Sequence, residues 1–410
     1  MNSSSPKTEP GSGATASPSS GGDPEEVALL RMETRRFVDR ALRPHTIDIE
    51  RTKVIPEPVM AQLRELGYFG LTIPERYGGM GLSTLAHLVV QEELGRAHSA
   101  INLIISGNNG IGVQALILDG TEAQRERWLP GLAAGRHIAA FALTEPGAGS
   151  DAQAIQTRAV ADGADFVLDG TKHFISRGDV AQLFTVFAVT DKAARGRGGI
   201  TAFIVERGTP GFRVARVQES MGSDVVKQVE LVFEGCRVPS ANVVGAVGQG
   251  FATAMRILDL GRLSLAARCL GTMEELLALS LDYARTRVQF GRPIFEQQAV
   301  QHMLADIATD IAMLRPALYQ AAARRDGGAR VSHEASMTKL FASEALGRAA
   351  DKAVQIHGGM GFMRECPIEA IYREARSMRI VEGTSEVQRM LIARGLVPDG
   401  DRAGPAASGR

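Results

Sequence analysis

The sequence is poor in the residues that build covalently cross-linked or metal-stabilised frameworks. It has three cysteines, Cys236, Cys269 and Cys366, which lie far apart and form no C-x-x-C pair. Neither a disulfide framework nor a zinc site is therefore indicated. Each cysteine is expected to be a small buried apolar residue instead.

An excess of charge of either sign is also missing. The chain has 46 Lys and Arg against 46 Asp and Glu, so its formal net charge is zero. This balance gives no indication of nucleic acid or an anionic membrane as a partner. The N-terminus is polar and lacks the apolar core of a signal peptide, and no uninterrupted apolar run reaches membrane length. We predict a cytoplasmic protein that does not insert into membranes.

What the sequence does contain is three blocks of different periodicity between two polar tails. The tails, 1–23 and 397–410, are rich in Ser, Gly, Pro and Ala and are expected to be disordered. Residues 24–138 predict helices, 139–247 predict short strands, and 248–396 predict long helices. The fold class is therefore α+β, mainly α. We expect an N-terminal helical domain, a central antiparallel β domain shaped as a barrel or sandwich, and a C-terminal helical bundle.

Several local signals in the N-terminal block make specific predictions. Pro44 is expected to end the first helix, and residues 99–118 are expected to form one helix. Thr121 with Gln124 is a capping-box pattern for the helix that follows. The adjacent carboxylates Glu92 and Glu93 are interpreted as part of a solvated face.

The later blocks carry turn and breaker signals. Asp162-Gly163 and Asp169-Gly170 are typical of β-hairpin turns. Pro316 lies inside an apolar helical stripe and predicts a kink. A bundle helix should end at His357-Gly358-Gly359, where a glycine can serve as the C-cap.

The stretch around Glu382 is the strongest candidate for chemistry. Glu382 precedes Gly383 and Thr384, and Ser385 with Gln388 suggests a capping box for a final helix. Glu382 should thus lie on a loop just before a helix N-terminus. In an apolar cleft its pKa would rise, which makes it a usable base near neutral pH. The alternative is an ordinary N-terminal helix acid stabilised by the helix dipole.

A glycine-rich stretch at 144–151, Thr-Glu-Pro-Gly-Ala-Gly-Ser-Asp, is the second candidate. Glycines let backbone amides approach a ligand closely, although an ordinary turn explains the same residues. No G-x-G-x-x-G follows a strand and no Walker sequence occurs. Rossmann and P-loop interpretations are therefore disfavoured.

Four stretches together resemble the signatures of the acyl-CoA dehydrogenase family. They are 144–151, 287–294 (Arg-Val-Gln-Phe-Gly-Arg-Pro-Ile), 355–362 (Gln-Ile-His-Gly-Gly-Met-Gly-Phe) and 382–386 (Glu-Gly-Thr-Ser-Glu). They occur in the order and spacing of that family, and the resemblance covers about 25–395. It implies a C-terminal four-helix bundle, FAD as the cofactor, and a homotetramer built as a dimer of dimers.

The resemblance also assigns roles to residues. It implies that Glu382 is the catalytic base. The substrate-binding positions would be Ser150, Asp259, Arg262 and Gly383. The cofactor-binding positions would be Phe141, Leu143, Thr144, Phe174, Ser176, Arg287, Gln289, Phe290, Gln355, Gly359, Thr384 and Glu386.

The residues themselves leave simpler alternatives open. Without the resemblance, Phe141 and Phe174 would be favoured as core of the β domain. Arg287 fits a solvated helix end, and Asp259 with Arg262 fits a surface pair three residues apart on a helix. His357 fits a helix-end cation without a chemical role.

The implied activity is α,β-dehydrogenation of an acyl-CoA to the trans-2-enoyl-CoA. Glu382 would remove the α-proton, while its own backbone N–H and an FAD ribityl hydroxyl polarise the carbonyl. Flavin N5 would accept the hydride, and an electron-transferring flavoprotein would take the electrons. In some branches the base lies at the position of Gly261, which cannot serve here. A flavin-dependent monooxygenase or oxidase, a carrier-protein-bound acyl substrate and a non-catalytic subunit are the alternatives.

Departures from the family pattern concern the ligand contacts. Phe174 and Ser176 stand where the family often has Trp and Thr, and Arg177 stands where Asn is frequent. Residues 223–227 also differ from the usual basic pattern, which could alter flavin or CoA contacts. Asn102 and Ser106, on the helix expected to line the acyl tail, suggest a polar or short acyl group. That helix carries no arginine, which argues against a decarboxylating glutaryl-type role.

Overall fold

The computed structural model describes residues 24–222 and 224–397. The expected disordered tails therefore lie outside the described residues, apart from Val397. The chain forms a helical block, then a mainly antiparallel sheet, then a second helical block. The predicted fold class is confirmed.

Seven α-helices form the first block. They are α1 Pro24–Phe37, α2 Thr46–Thr52, α3 Glu57–Glu65, α4 Thr84–Leu94, α5 Ser99–Asn109, α6 Gln114–Asp119 and α7 Glu122–Ala133. The capping box at Thr121 and Gln124 is present, with both reciprocal hydrogen bonds formed.

Two boundary predictions in this block are wrong. Pro44 does not end helical structure, because it occupies the first turn of a short 3₁₀ segment that leads directly into α2. Proline is tolerated there, since its missing N–H has no intrahelical partner in a first turn. The single helix expected over 99–118 is two helices, α5 and α6, separated by a turn that begins at Gly110.

The prediction that Glu92 and Glu93 face solvent is also wrong, because both are 0% exposed. Arginines from two other helices neutralise them. Arg31 and Arg35 of α1 each lie 2.9 Å from Glu93, and Arg315 lies 3.0 Å from Glu92. The pair is thus the centre of a buried ion-pair network that holds α1 and α4 against the second helical block.

One stretch, Ser99–Asp119, is apolar and long enough to cross a membrane by composition alone. Some 72% of its apolar window is buried inside the protein, and a turn divides it. Core helices of globular proteins pass the same test.

The central block is an eight-stranded sheet. Its strands are β1 Ala139–Ala142, β2 Arg158–Asp162, β3 Asp165–Ser176, β4 Leu183–Val189, β5 Ile200–Glu206, β6 Phe212–Gln218, β7 Gln228–Pro239 and β8 Val243–Val244. The strand order is β6-β7-β3-β2-β4-β5-β8, with β1 paired to β4. Most pairs are antiparallel, but β4 runs parallel to β1 and to β2, which the sequence did not indicate.

The two predicted hairpin turns have different outcomes. Asp162-Gly163 does connect β2 to β3, with Gly163 at φ +64°. Asp169-Gly170 is not a turn, because β3 continues through it with a register irregularity against β7. Gly170 has φ +150°, and an added Cβ would lie 2.5 Å from Thr157 Oγ1. Close approach of the neighbouring strand therefore explains this glycine.

The second helical block holds three long helices and two short ones. They are α8 Gly250–Thr286, α9 Gln298–Asp326, α10 Ser332–His357, α11 Pro367–Met378 and α12 Ser385–Gly395. A small hairpin, β9 Val288–Gln289 and β10 Arg292–Pro293, follows α8. Helix α9 continues through Pro316, and α10 ends at His357 with Gly358 at φ +58°.

The apolar core crosses the borders between these blocks. One cluster joins Leu42, Phe69 and Ile105 of the first block to Val186 and Phe233 of the sheet. A second cluster consists mainly of residues from α8, α9 and α10 and includes Leu88 of α4. The three blocks therefore pack as one unit, and the candidate site lies where they meet.

Candidate active site

Glu382 lies on the short loop between α11 and α12, as the sequence predicts. The capping residue of α12 is Thr384, whose hydroxyl accepts a hydrogen bond from the Val387 N–H at 3.3 Å. The predicted Ser385–Gln388 capping box is therefore wrong by one residue. The Gln388 amide instead folds back and donates to the carbonyls of Glu382 and Gly383, each at 3.1 Å.

Two buried cations hold the same loop. The Lys339 ammonium, from α10, donates to the Gly383 carbonyl at 2.8 Å. The Arg262 guanidinium, from α8, reaches the Glu382 carbonyl at 3.4 Å. Because donors from α8, α10 and α12 all bind its carbonyls, the loop is fixed by three separate helices. No local sequence pattern marked Lys339 as a site residue.

The backbone of Glu382 has φ +56°, in the left-handed region that L-residues other than glycine rarely adopt. Six residues of this kind occur among those described, and they include Phe174, Phe290 and Arg177. Such conformations persist only where the surroundings impose them, and they concentrate at functional sites. The left-handed turn directs the Glu382 carboxylate onto α8, against Gly261.

Burial and charge oppose each other at the Glu382 carboxylate. Its Oε2 is closed off from solvent and has no hydrogen-bond partner in the described part of the chain. Burial raises the pKa of Glu382 above its usual value, while Arg268, Arg262, Lys339 and Arg177 pull it down. Burial prevails, so the pKa stays raised. A carboxylate of this kind is suited to accept a proton.

The expected pair Asp259 and Arg262 forms on α8, with Arg262 Nη1 3.1 Å from Asp259 Oδ1. Arg262 is 6% exposed, so the alternative of a surface pair does not describe it. Asp259 also accepts a hydrogen bond from the Ser332 hydroxyl at the start of α10. The pair thereby fixes the guanidinium that holds the Glu382 carbonyl.

A buried ion pair holds the glycine-rich stretch that follows β1. Lys172 Nζ, 0% exposed, lies 2.7 Å from Glu145 Oε1 and donates to the Leu143 carbonyl at 3.0 Å. Glu145 also accepts the N–H groups of Gln156 and Thr157. The sequence missed this pair, because neither residue stands out in its local pattern.

Beyond this ion pair, the glycine-rich stretch is open to solvent. An added Cβ at Gly147 or Gly149 would meet no atom within 4 Å, and Ser150 is exposed. Thr144 is half-buried, and its carbonyl accepts the His173 N–H at 2.8 Å, which brings β1 beside β3. The open surface therefore continues towards Phe174 and Ser176 at the end of β3.

The apolar candidate residues of the β domain differ in their exposure to solvent. Phe174 is 61% exposed at φ +58°, so the alternative that it is core is excluded. Phe141 is half-buried and packs on Phe187, with ring centroids 5.0 Å apart. Leu143 is 6% exposed and packs in the apolar core.

The remaining candidates form a separate exposed surface. Arg287, Gln289 and Phe290 lie just after α8, and Phe290 is 93% exposed. The rings of Tyr283 and His357 stack with centroids 4.5 Å apart, which places this turn beside the end of α10. That end carries the exposed Gln355 and Gly359. Thr384 and Glu386, in contrast, begin α12 beside the Glu382 loop.

These surfaces suit the flavin cofactor that the resemblance implies. An exposed aromatic ring, two hydroxyls and open glycine backbone meet at the ends of β1 and β3 (Phe174, Thr144, Ser176, Gly147 and Gly149). A planar, polar-edged ring needs such partners. Arg287 offers an exposed guanidinium for a phosphate. An added Cβ at Gly359 would meet nothing within 4 Å, so backbone is accessible there too.

Arg177, the main departure noted in the sequence, has a structural role. It is 2% exposed and donates to the Leu103 carbonyl at 2.9 Å, the Ser106 hydroxyl at 3.2 Å and the Ala139 carbonyl at 3.3 Å. Burial lowers its pKa to about 10. Arg177 therefore ties α5 to β1, and it already engages Ser106, one of the residues proposed to meet the acyl group.

Comparison with known families agrees with this architecture. The acyl-CoA dehydrogenase N-terminal domain matches residues 24–136, the middle domain 140–236 and the C-terminal domain 248–397. An acyl-CoA dehydrogenase of Bacillus subtilis is 39% identical over 373 residues, covering 91% of this chain and 98% of that protein.

Solved structures show the same similarity in three dimensions. Butyryl-CoA dehydrogenase from Megasphaera elsdenii superposes with a TM-score of 0.86 at 34% identity, covering 92% of this chain and 99% of that one. A chain from a structural study of the electron transferring flavoprotein of Acidaminococcus fermentans gives 0.88 at 38% identity, with coverages of 92% and 99%. Enzymes of this kind are FAD-dependent oxidoreductases. The chain belongs to the acyl-CoA dehydrogenase family.

Proposed function

We propose that Glu382 is the base in α,β-dehydrogenation of an acyl-CoA thioester to the trans-2-enoyl-CoA. The observation that carries the proposal is the Glu382 Oε2 atom, which is buried, unpartnered in the described structure and raised in pKa. A buried oxygen without a partner is costly unless a ligand completes the site. The α-proton of the substrate is the partner that the activity supplies.

The surrounding groups hold the Glu382 carboxylate in position to accept the proton. Gly261 leaves room for the carboxylate, and Lys339, Arg262 and Gln388 fix the backbone on which it sits. The Glu382 N–H is proposed to donate to the thioester carbonyl and so to stabilise the enolate-like charge. Ser150, Asp259, Arg262 and Gly383 remain the proposed substrate contacts. Bound FAD supplies the acceptor for the β-hydride.

The cofactor contacts remain proposals as well. Thr144, Ser176 and Phe174 would border the flavin ring, and the exposed Arg287 turn would reach the FAD of a neighbouring subunit. A homotetramer built from dimers accounts for that exposed turn with its 93% exposed Phe290. Large exposed apolar groups of this kind are typical of subunit interfaces. The predicted cytoplasmic location stays a prediction.

We further propose an electron-transferring flavoprotein as the electron acceptor. The similarity to a chain from the study of the Acidaminococcus fermentans flavoprotein supports this choice. An oxidase or monooxygenase would instead consume oxygen directly. Oxygen uptake on addition of acyl-CoA, at a rate matching flavin reoxidation, would favour that alternative.

The test is an anaerobic absorbance titration of the FAD-loaded protein with a panel of acyl-CoAs. Wild-type flavin should bleach with at least one class, and Glu382→Gln should lose the bleaching while it keeps its bound FAD. Glu365→Gln, which changes an exposed glutamate, is the matched control and should bleach like the wild type. Bleaching of Glu382→Gln at the wild-type rate, or of no protein by any acyl-CoA, would contradict the proposal.

A further inference from the structure

Arg268 is a buried cation that forms no hydrogen bond or ion pair with a carboxylate in the described part of the chain, although its charge acts on the Glu382 carboxylate. It lies on α8 and is 9% exposed. Its one hydrogen bond within the described ranges is from Nη2 to the Met378 thioether sulfur, at 2.8 Å. Thioether sulfur is a weak acceptor, whereas buried guanidinium groups are normally paired with carboxylates. The guanidinium therefore has most of its donor capacity unused.

The position of Arg268 relates it to the catalytic carboxylate. Gly261 and Arg268 are seven positions apart on one helix, which places them on the same face about 10 Å apart. Gly261 is the residue against which the Glu382 carboxylate lies. A chain that starts at Glu382 and runs along this face of α8 would therefore meet Arg268.

Arg268 also lines a cavity of about 210 Å³, which lies where α8 and α11 meet the turn before α5 and the start of α2. The wall further includes Ser99, Cys269, Thr272 and Met378. The α8 residues of the wall run from Arg268 to Leu279, away from Gly261, so the cavity begins at Arg268 and extends beyond it along the helix.

The other charged groups of the wall are mostly satisfied. Arg43 lies 2.6 Å from Glu275, Arg96 lies 3.0 Å from Asp39, and His98 lies 3.1 Å from Glu50. Glu374 is the exception, since its carboxylate makes no hydrogen bond or ion pair to any described residue. It belongs to α11, whereas Arg268 shares the helix face that leads from Glu382. A chain that follows that face would meet the cation first.

We propose that Arg268 binds a carboxylate at the distal end of the acyl chain, so that the substrate is an ω-carboxyacyl-CoA. This inference rests on the proposed function, because the reacting end of the chain must lie at Glu382. The distal carboxylate takes no part in the bond changes. It supplies the acceptor that the guanidinium lacks, and it would make a charge-assisted hydrogen bond in a buried setting.

The test compares matched pairs of substrates that differ only at the distal end. Adipyl-CoA with hexanoyl-CoA, and suberyl-CoA with octanoyl-CoA, are assayed on the FAD-loaded protein. The ratio of kcat/KM values should favour the dicarboxylic member of at least one pair by on the order of 100-fold. Arg268→Gln should abolish that preference. Glu374→Gln, which removes the opposite charge from the same cavity, should not lower it.

A binding measurement separates specificity from damage to the catalytic step. Calorimetry on Glu382→Gln, which binds without turnover, should show tighter binding of the dicarboxylic thioester, and Arg268→Gln in that background should remove the difference. Retained FAD and an unchanged Tm show that the variants fold. Turnover of hexanoyl-CoA or octanoyl-CoA with equal or greater efficiency overturns the inference and leaves the proposed function standing. No bleaching by any thioester overturns both.

Discussion

The Glu382 carboxylate occupies the space that a side chain on Gly261 would fill. An ideal Cβ built on Gly261 would lie 2.3 Å from Glu382 Oε2 and 2.9 Å from the Ile111 side chain. Real Cβ atoms do not approach other atoms so closely. The glycine on α8 and the glutamate on the distant loop are therefore complementary, and the carboxylate can lie flat against the helix backbone.

We expect Gly261→Ala to displace this carboxylate. A misplacement of about 1 Å commonly costs on the order of 100-fold in rate, so kcat should fall by about that factor. FAD content should not change, because Gly261 is not among the proposed cofactor contacts. Steady-state kinetics with the best acyl-CoA, together with the flavin spectrum, would measure both quantities.

Gly347→Ala is the matched control for that variant. Gly347 also lies inside a bundle helix, but its added Cβ would meet only Arg379 Nε, at 3.9 Å. This alanine should raise stability by up to about 1 kcal/mol through helix propensity and leave kcat unchanged. If both variants lose activity equally, the loss does not come from the Glu382 contact.

The pH dependence of kcat/KM should report the raised pKa of Glu382. The base must be ionised to take the α-proton, so activity is lost as pH falls through its pKa. Because burial raises that pKa above the ordinary 4.5, the acid limb of the profile should lie above this value. A limb at or below it would show that the buried carboxylate is not the group titrating.

Lys339→Met should move the same limb to still higher pH. Lys339 lowers the pKa of Glu382, and its ammonium holds the Gly383 carbonyl at 2.8 Å. Removing the cation therefore disfavours the ionised base and also loosens its loop. Lys352→Met, on the same helix but paired with Asp306 at 3.3 Å, should leave the limb in place. Equal shifts in both variants would point to a general change in net charge.

Lys172→Met should destabilise the fold strongly. It would leave Glu145 buried without its cation, and breaking such a pair costs about 3–5 kcal/mol. Burial favours the neutral form of Glu145, but Lys172 and two further hydrogen bonds, from Thr157 and Gln156, outweigh burial and hold its pKa below the ordinary value. The ion pair therefore stabilises the fold at pH values above the unfolded-state pKa of Glu145. This stabilisation is lost as the pH falls through the folded-state pKa of Glu145.

Thermal unfolding of Lys172→Met at neutral and acidic pH measures this effect. The difference in Tm from the wild type should be large at neutral pH and should shrink on acidification, when Glu145 protonates. Adding Glu145→Leu should recover much of the loss, since no unpaired charge is then buried. A single variant that melts like the wild type would contradict the role assigned to the pair.

The sequence predicted features that depend on local pattern. The three blocks follow from hydrophobic period, the Thr121 cap from a reciprocal hydrogen-bond motif, and the loop position of Glu382 from a glycine before a helical stripe. The four signature stretches indicated the family. In each case the information lies within a few neighbouring residues.

What the sequence missed depends on partners from distant segments. The local sequence predicts that Glu92 and Glu93 are solvated, but in the folded protein arginines from α1 and α9 neutralise them. Arg177 appeared as a change in a ligand contact, yet it binds the backbone of α5. Asp169-Gly170 has the composition of a turn, but the contact with Thr157 shows that the neighbouring strand requires the glycine. No local pattern contains these contacts.

The left-handed backbone of Glu382 implies a conflict between the stability of the fold and catalysis at that residue. A non-glycine residue in this conformation costs roughly 1–2 kcal/mol relative to glycine. Glu382→Gly should therefore relax the loop and raise the Tm of the protein, while it removes the proposed base. The chain then keeps a strained residue where a relaxed one would fold more easily, and the margin against thermal inactivation is smaller because of it.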